Sequence, residues 1–79
     1  MGHPEVPVIM NRQFVLDGRH AENLPALKHV NDNPPVEGEV PLRQWLLEHV
    51  AEELQKNPKA DEIMLHPAGS ETRFKVTFE

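Results

Sequence analysis

The chain reads as a small α+β domain, a two-layer sandwich in which one amphipathic helix packs on a sheet of about three strands in the order β-loop-α-β-β. Three observations predict this. Residues 41–56, PLRQWLLEHVAEELQK, carry apolar side chains at helical spacing, while residues 6–16 and 72–79 carry them at every second position. With 79 residues there is room for one domain, 1–79, and only for an economical core.

In the first stretch Val6, Val8, Met10, Phe14 and Leu16 share even parity, interrupted only by Arg12, which predicts one strand from Val6 to Leu16 ended by Asp17 and Gly18. A hairpin bending at Asn11-Arg12 is the alternative, but that dipeptide is a weak turn former. Pro7 has no N–H to give to a ladder, so the start of this strand is expected on a sheet edge. Met1 to Pro4 reads as a loose tail, and Met10 offers an alternative start that would make those residues an appended remnant.

Residues 18–40 show no sustained period and read as a long loop. Leu24, Leu27 and Val30, spaced by three, allow a short helical turn with Pro25 near its start. Asn31-Asp32-Asn33-Pro34-Pro35 then favours turns and extended backbone. Loops of this length in compact domains tend to be functional or mobile.

The helix is expected to begin at Pro41 and stop at Asn57-Pro58. Leu42, Leu46, Leu47, Val50, Ala51 and Leu54 form its core stripe. Arg43 projects into that arc near the helix start, where its head group can reach solvent. Residues 62–66 and 72–79 follow as a hairpin around PAGSE, with Gly69 available for a positive φ. Phe74, Val76 and Phe78 should face the core with Ile63 and Leu65, leaving Arg73, Lys75, Thr77 and Met64 outside.

Composition excludes several functions. With no cysteine there is no disulfide, thiolate ligand or thiol nucleophile, so a chain this small relies on packing or on a partner, and a homodimer is a natural possibility. Eight Lys and Arg against thirteen Asp and Glu give a net charge of -5, which opposes nucleic acid and anionic lipid and suits a partner with a basic surface. Arg73 and Lys75 alone are not a patch and more naturally keep the sheet face soluble; single-stranded nucleic-acid binding through that outward face, with Arg12 joining if the strands are neighbours, is the weaker alternative. No apolar run is long enough to span a bilayer and no signal peptide is visible, so a cytoplasmic protein is the default expectation.

The five histidines, His3, His20, His29, His49 and His66, lack the close spacing of a zinc site; a ligand or metal site would need His20, His29 and His49 brought together from separate segments. Residues 31–39 gather oxygen ligands, but two prolines and a displaced glycine depart from the calcium-loop pattern, and a rigid turn explains them better. No cofactor or metal is therefore expected. Catalysis is poorly supplied: Ser70 is the one serine, with no histidine at a telling spacing, and the carboxylate pairs Glu52-Glu53 and Asp61-Glu62 lack a sheltered setting. The single glycines form no phosphate loop.

Trp45 is the informative residue. On the helical wheel it lies outside the core stripe, among His49, Glu52 and Lys56. Either the 18–40 loop folds back over the indole through Leu24, Leu27, Val30 or Pro34-Pro35, or Trp45 is an exposed anchor ringed by His49, Glu48 and Glu52 for a basic partner. The functional expectation is a non-enzymatic interaction or regulatory module using Trp45, His49, Glu48, Glu52 and the loop.

Overall fold

Glu5–Met10 form β1, Arg12–Leu16 a short helix α1, Leu42–Lys56 the long helix α2, and Glu62–Leu65 and Arg73–Phe78 the strands β2 and β3. The computed structural model describes residues 4–79, so of the expected loose tail only Pro4 falls within it. Its carbonyl accepts the Arg73 N–H at 2.9 Å, which extends the β1–β3 ladder by one rung.

The sheet order is β1-β3-β2, with β1 parallel and β2 antiparallel to the central strand. Val6 pairs with Phe74 and Val8 with Val76, while Ile63 pairs with Val76 and Leu65 with Phe74. These residues share the face that α2 covers, and Val8, Val76 and Leu46 are fully buried there. The opposite face carries Ile9, Met64, Lys75 and Thr77 in neighbouring register, with Ile9 and Met64 exposed. The expected hairpin parity thus holds, and the α+β sandwich is the fold.

As an edge strand β1 is interrupted for further pairing at Pro7. The Arg73 N–H to Pro4 and Glu79 N–H to Met10 bonds direct the even-numbered β1 carbonyls at β3. Pro7 therefore faces the free edge, where it lacks an N–H and its carbonyl sits 3.1 Å from His29 Nε2.

The expected single strand from Val6 to Leu16 is overturned: it stops at Met10 and the chain turns into α1. Asn11 is the N-cap, its Oδ1 accepting the Phe14 N–H at 3.2 Å. At the other end Gly18, at φ +76°, and Arg19 donate to the Val15 and Phe14 carbonyls, the paired bonds of a Schellman close. Asn11 and Gly18 thus bracket the helix, and Val15, of the parity assigned outward, is the buried residue. Arg12, the break in the alternation, lays its guanidinium over the Phe78 ring at 4.9 Å and donates to the Pro58 carbonyl at 2.6 Å.

The long loop is more ordered than expected. His20–Leu27 form a 3-10 helix with Pro25 inside it, and Glu37–Glu39 a second such turn closed by a bridge between Val36 and Val40. Leu27, Val30 and Val36 enter the core, whereas Leu24 is exposed. Asn23, 3% exposed, is the buried polar residue among those described. Its Oδ1 accepts the Asn11 N–H at 2.9 Å and its Nδ2 donates to the Asn11 carbonyl at 3.4 Å, fastening the loop to the junction of β1 and α1. Asn23→Leu leaves both Asn11 groups without that partner and is expected to cost about 2 kcal/mol, measurable as a lower urea midpoint at unchanged m value.

Nearby, Arg19 forms an ion pair with Glu22 through Nε and, at 2.7 Å, through NH2. The hydrogen bond from Arg19 holds the Glu22 carboxyl below the usual glutamate range, and the same bond raises the Arg19 guanidinium.

Candidate functional site

Trp45 is not on the surface. The residue is 8% exposed and belongs to one apolar cluster with Val15, Leu27, Val30 and Val36, so the wheel's assignment of the indole to the polar side is corrected. A wheel assumes one flat layer beneath the helix; here α1 and the 20–27 segment also pack on α2 and widen its buried arc. The ring stacks on His49 with centroids 3.9 Å apart and planes 17° from parallel. His49 Nδ1 lies 2.9 Å from the Trp45 carbonyl, which only accepts, so Nδ1 carries the proton. His49 is half-buried, and Glu48 and Glu52 are exposed beside it. Glu48 faces Gln44, and Glu52 pairs with Lys56 at 3.5 Å. The four residues are neighbours on α2, but the indole that was to anchor a partner is turned into the core.

Arg43 keeps a partly exposed side chain, but its head group is bonded to the loop: Nε donates to the Leu27 carbonyl at 3.0 Å, NH2 to Val30 at 2.7 Å, and NH1 to Asp32 at 2.9 Å. Asp32 in turn accepts the Arg43 backbone N–H at 2.8 Å, capping a helix start where Pro41 has no capping side chain to offer. One residue thereby holds the segment 27–32 against the N-terminus of α2.

That segment forms one wall of a groove of about 550 Å³. The floor is apolar: Val6 of β1, Phe74 beside it on β3, Leu42 at the start of α2, and Val30. His29, Asn31, Asn33 and Pro34 line one side, and Gly69 to Thr72 the other. Both walls are tied down. The Asn33 N–H donates to Asn31 Oδ1 at 3.0 Å, and the Thr72 N–H to Ser70 Oγ at 3.1 Å. The turn at Gly69 uses φ +85°, open to glycine and strained for other side chains. His66 Nε2 approaches the Ser70 carbonyl at 3.0 Å.

In the His29 contact with Pro7 the carbonyl can only accept, so Nε2 carries the proton and Nδ1 of the neutral ring is an acceptor. Among the described residues, Glu71 is the one carboxylate on the rim, and no lysine or arginine lines the groove. A smaller hollow of about 380 Å³ lies between Leu24, Pro25, Lys28 and Arg43.

The groove was missed in the sequence because its parts lie far apart along the chain, at 6, 29–34, 42 and 69–74. The available signal was the turn chemistry of Asn31 to Pro35 and Gly69, which marks rigid loops without saying that they face each other. Among the described residues, no group of three or more His, Asp or Glu could hold a metal ion, so His20, His29 and His49 do not form one. The oxygen-rich run 31–39 spends Asp32 on Arg43 and Asn31 on its own turn. Lys75 pairs with Glu62 at 3.5 Å on the open sheet face. No described helix is long and apolar enough to cross a membrane.

The fold has a solved counterpart. A hypothetical protein from Trypanosoma cruzi, whose structure accompanies its chemical shift assignments, superposes with a TM-score of 0.79 at 33% identity, covering 100% of this chain and 91% of that one. No curated protein matched. A family model described only as hypothetical-protein-like matches residues 6–79, which take in the sheet apart from Glu5, both helices and the groove. The chain belongs to this family of hypothetical proteins.

Proposed function

We propose that the chain is a non-enzymatic protein-interaction module of the cytoplasm, and that it receives a segment of a partner protein in the groove between residues 29–34 and 69–72. The observation that carries this reading is the groove's composition: an apolar floor beneath a rim of amides, hydroxyls and one carboxylate. A few polar groups around an apolar base suit recognition by burial plus orientation. The 18–40 segment supplies a wall, as the interaction reading requires, while Trp45 supports the helix from inside.

Groups able to do acid–base or nucleophilic work line the groove without being joined into a pair. His29 is bonded to the Pro7 carbonyl, and Ser70 Oγ accepts the Thr72 N–H. No hydrogen bond joins His29, Ser70 and Glu71 among the described residues, which favours binding over a nucleophile–base pair.

The test is comparative affinity capture from the native host with the wild-type chain, Asn33→Trp, which fills the groove from an exposed wall position, and Glu52→Lys on the far helix face. A partner retained by wild type and Glu52→Lys but lost with Asn33→Trp is the expected result. Loss with Glu52→Lys and retention with Asn33→Trp would return the site to the helix surface.

A further inference from the structure

Resting on the groove as the working site, we infer that its occupant is an extended peptide segment carrying a lysine or arginine next to an aliphatic side chain. The cation pairs with Glu71 and the aliphatic group seats on Val6, Leu42 and Phe74.

Charge selects the cation. Glu71 is exposed and bonded to no cation among the described residues, no Lys or Arg lines the groove, and the whole chain carries a net charge of -5. An anionic occupant would meet this carboxylate, whereas a cation would complete the pair. Asp32, the other nearby carboxylate, is neutralised by Arg43 at 2.9 Å and does not compete.

The rim selects a peptide over a simple amine. The Asn31 Nδ2 and the Asn33 side-chain amide can offer donors, and His29 Nδ1 in the neutral ring is an acceptor. An extended backbone presents N–H and C=O groups in alternation, matching that mixed set, while a simple ammonium has only donors. The floor supplies the third requirement: Val6 is half-buried and still presents apolar surface that an aliphatic group can cover, while Val30, Leu42 and Phe74, already buried, shape the base and add little further area. The volume of about 550 Å³ admits only a short stretch of chain, so affinity is expected to be modest and salt-sensitive.

The full-length chain, labelled with 15N, is titrated with blocked dipeptides, acetyl-Leu-Lys-amide and acetyl-Leu-Glu-amide, while backbone amide shifts are followed. The lysine peptide is expected to move the amides of Val6, Leu42, Thr72 and Phe74 and to bind about tenfold tighter than the glutamate peptide. Glu71→Gln, at an exposed position, should keep the dispersed spectrum and reduce the preference to about twofold or less. Equal or tighter binding of the glutamate peptide overturns the inference, as does an undiminished lysine preference in Glu71→Gln. No shift with either peptide also overturns it; the Asn33→Trp capture then decides whether the groove falls too, because partner loss in that variant preserves the groove and rejects only this occupant.

Discussion

Trp45→Ala is expected to destabilise the folded chain by about 3–5 kcal/mol, the cost of emptying a large aromatic site in a core. A 79-residue domain has a total stability of roughly 4–12 kcal/mol, so this one truncation removes a large share of it. An exposed anchor would have left the fold intact on the same substitution, and the urea midpoint therefore separates the two roles. Trp45→Phe is the informative companion. The indole Nε1 is buried without a hydrogen-bond partner, and phenylalanine removes that unsatisfied donor while filling much of the space. The two effects oppose each other, and a net loss of about 1 kcal/mol is expected. A Trp45→Ala variant as stable as wild type would refute the buried role.

What the sequence disclosed and what it concealed divide along physical lines. The helix 41–56 and the parity of 72–79 were legible because one period persists over many residues and tertiary contacts reinforce it. Residues 6–16 were misread because two elements joined at Asn11 happen to continue an even parity; Phe14 and Leu16 extend a pattern that had ended at Met10. The cap at Asn11 and the close at Gly18 were the competing local signals, and capping won over periodicity. Trp45 was misplaced for another reason. Its burial depends on α1, which the alternating parity reads as part of a strand, and on the 20–27 segment, which the covering-loop alternative places over the indole. The groove was illegible in principle from local patterns, since parallel pairing of β1 with β3 is what brings Val6 beside Phe74 and within reach of the 69–72 turn.

Arg43→Met is expected to cost about 3 kcal/mol, and to loosen the groove before it unfolds the chain. Methionine keeps most of the apolar stem, so the loss falls on the head group. The Leu27 and Val30 carbonyls lose their charged donor, and Asp32 loses its ion pair. Hydrogen bonds to a charged group are worth about 1.5–3 kcal/mol each, but the side chain is 37% exposed, so water recovers part of the loss and the estimate lies well below their sum. Arg43→Lys should recover little, because one ammonium cannot reproduce three divergent N–H contacts. Asp32→Ala removes the cap on the Arg43 N–H as well as the pair, and combining it with Arg43→Met should cost less than the two singles together, since they share one network. Amide hydrogen exchange provides the local readout: in Arg43→Met, protection of Val30, whose N–H donates to Leu27, should fall more than that of Val76 in the sheet. The same variant should weaken capture of a groove-bound partner, because the wall formed by residues 29–34 is held in place by this guanidinium. Equal loss of protection at Val30 and Val76 would instead make Arg43 a general stabiliser with no particular hold on the groove.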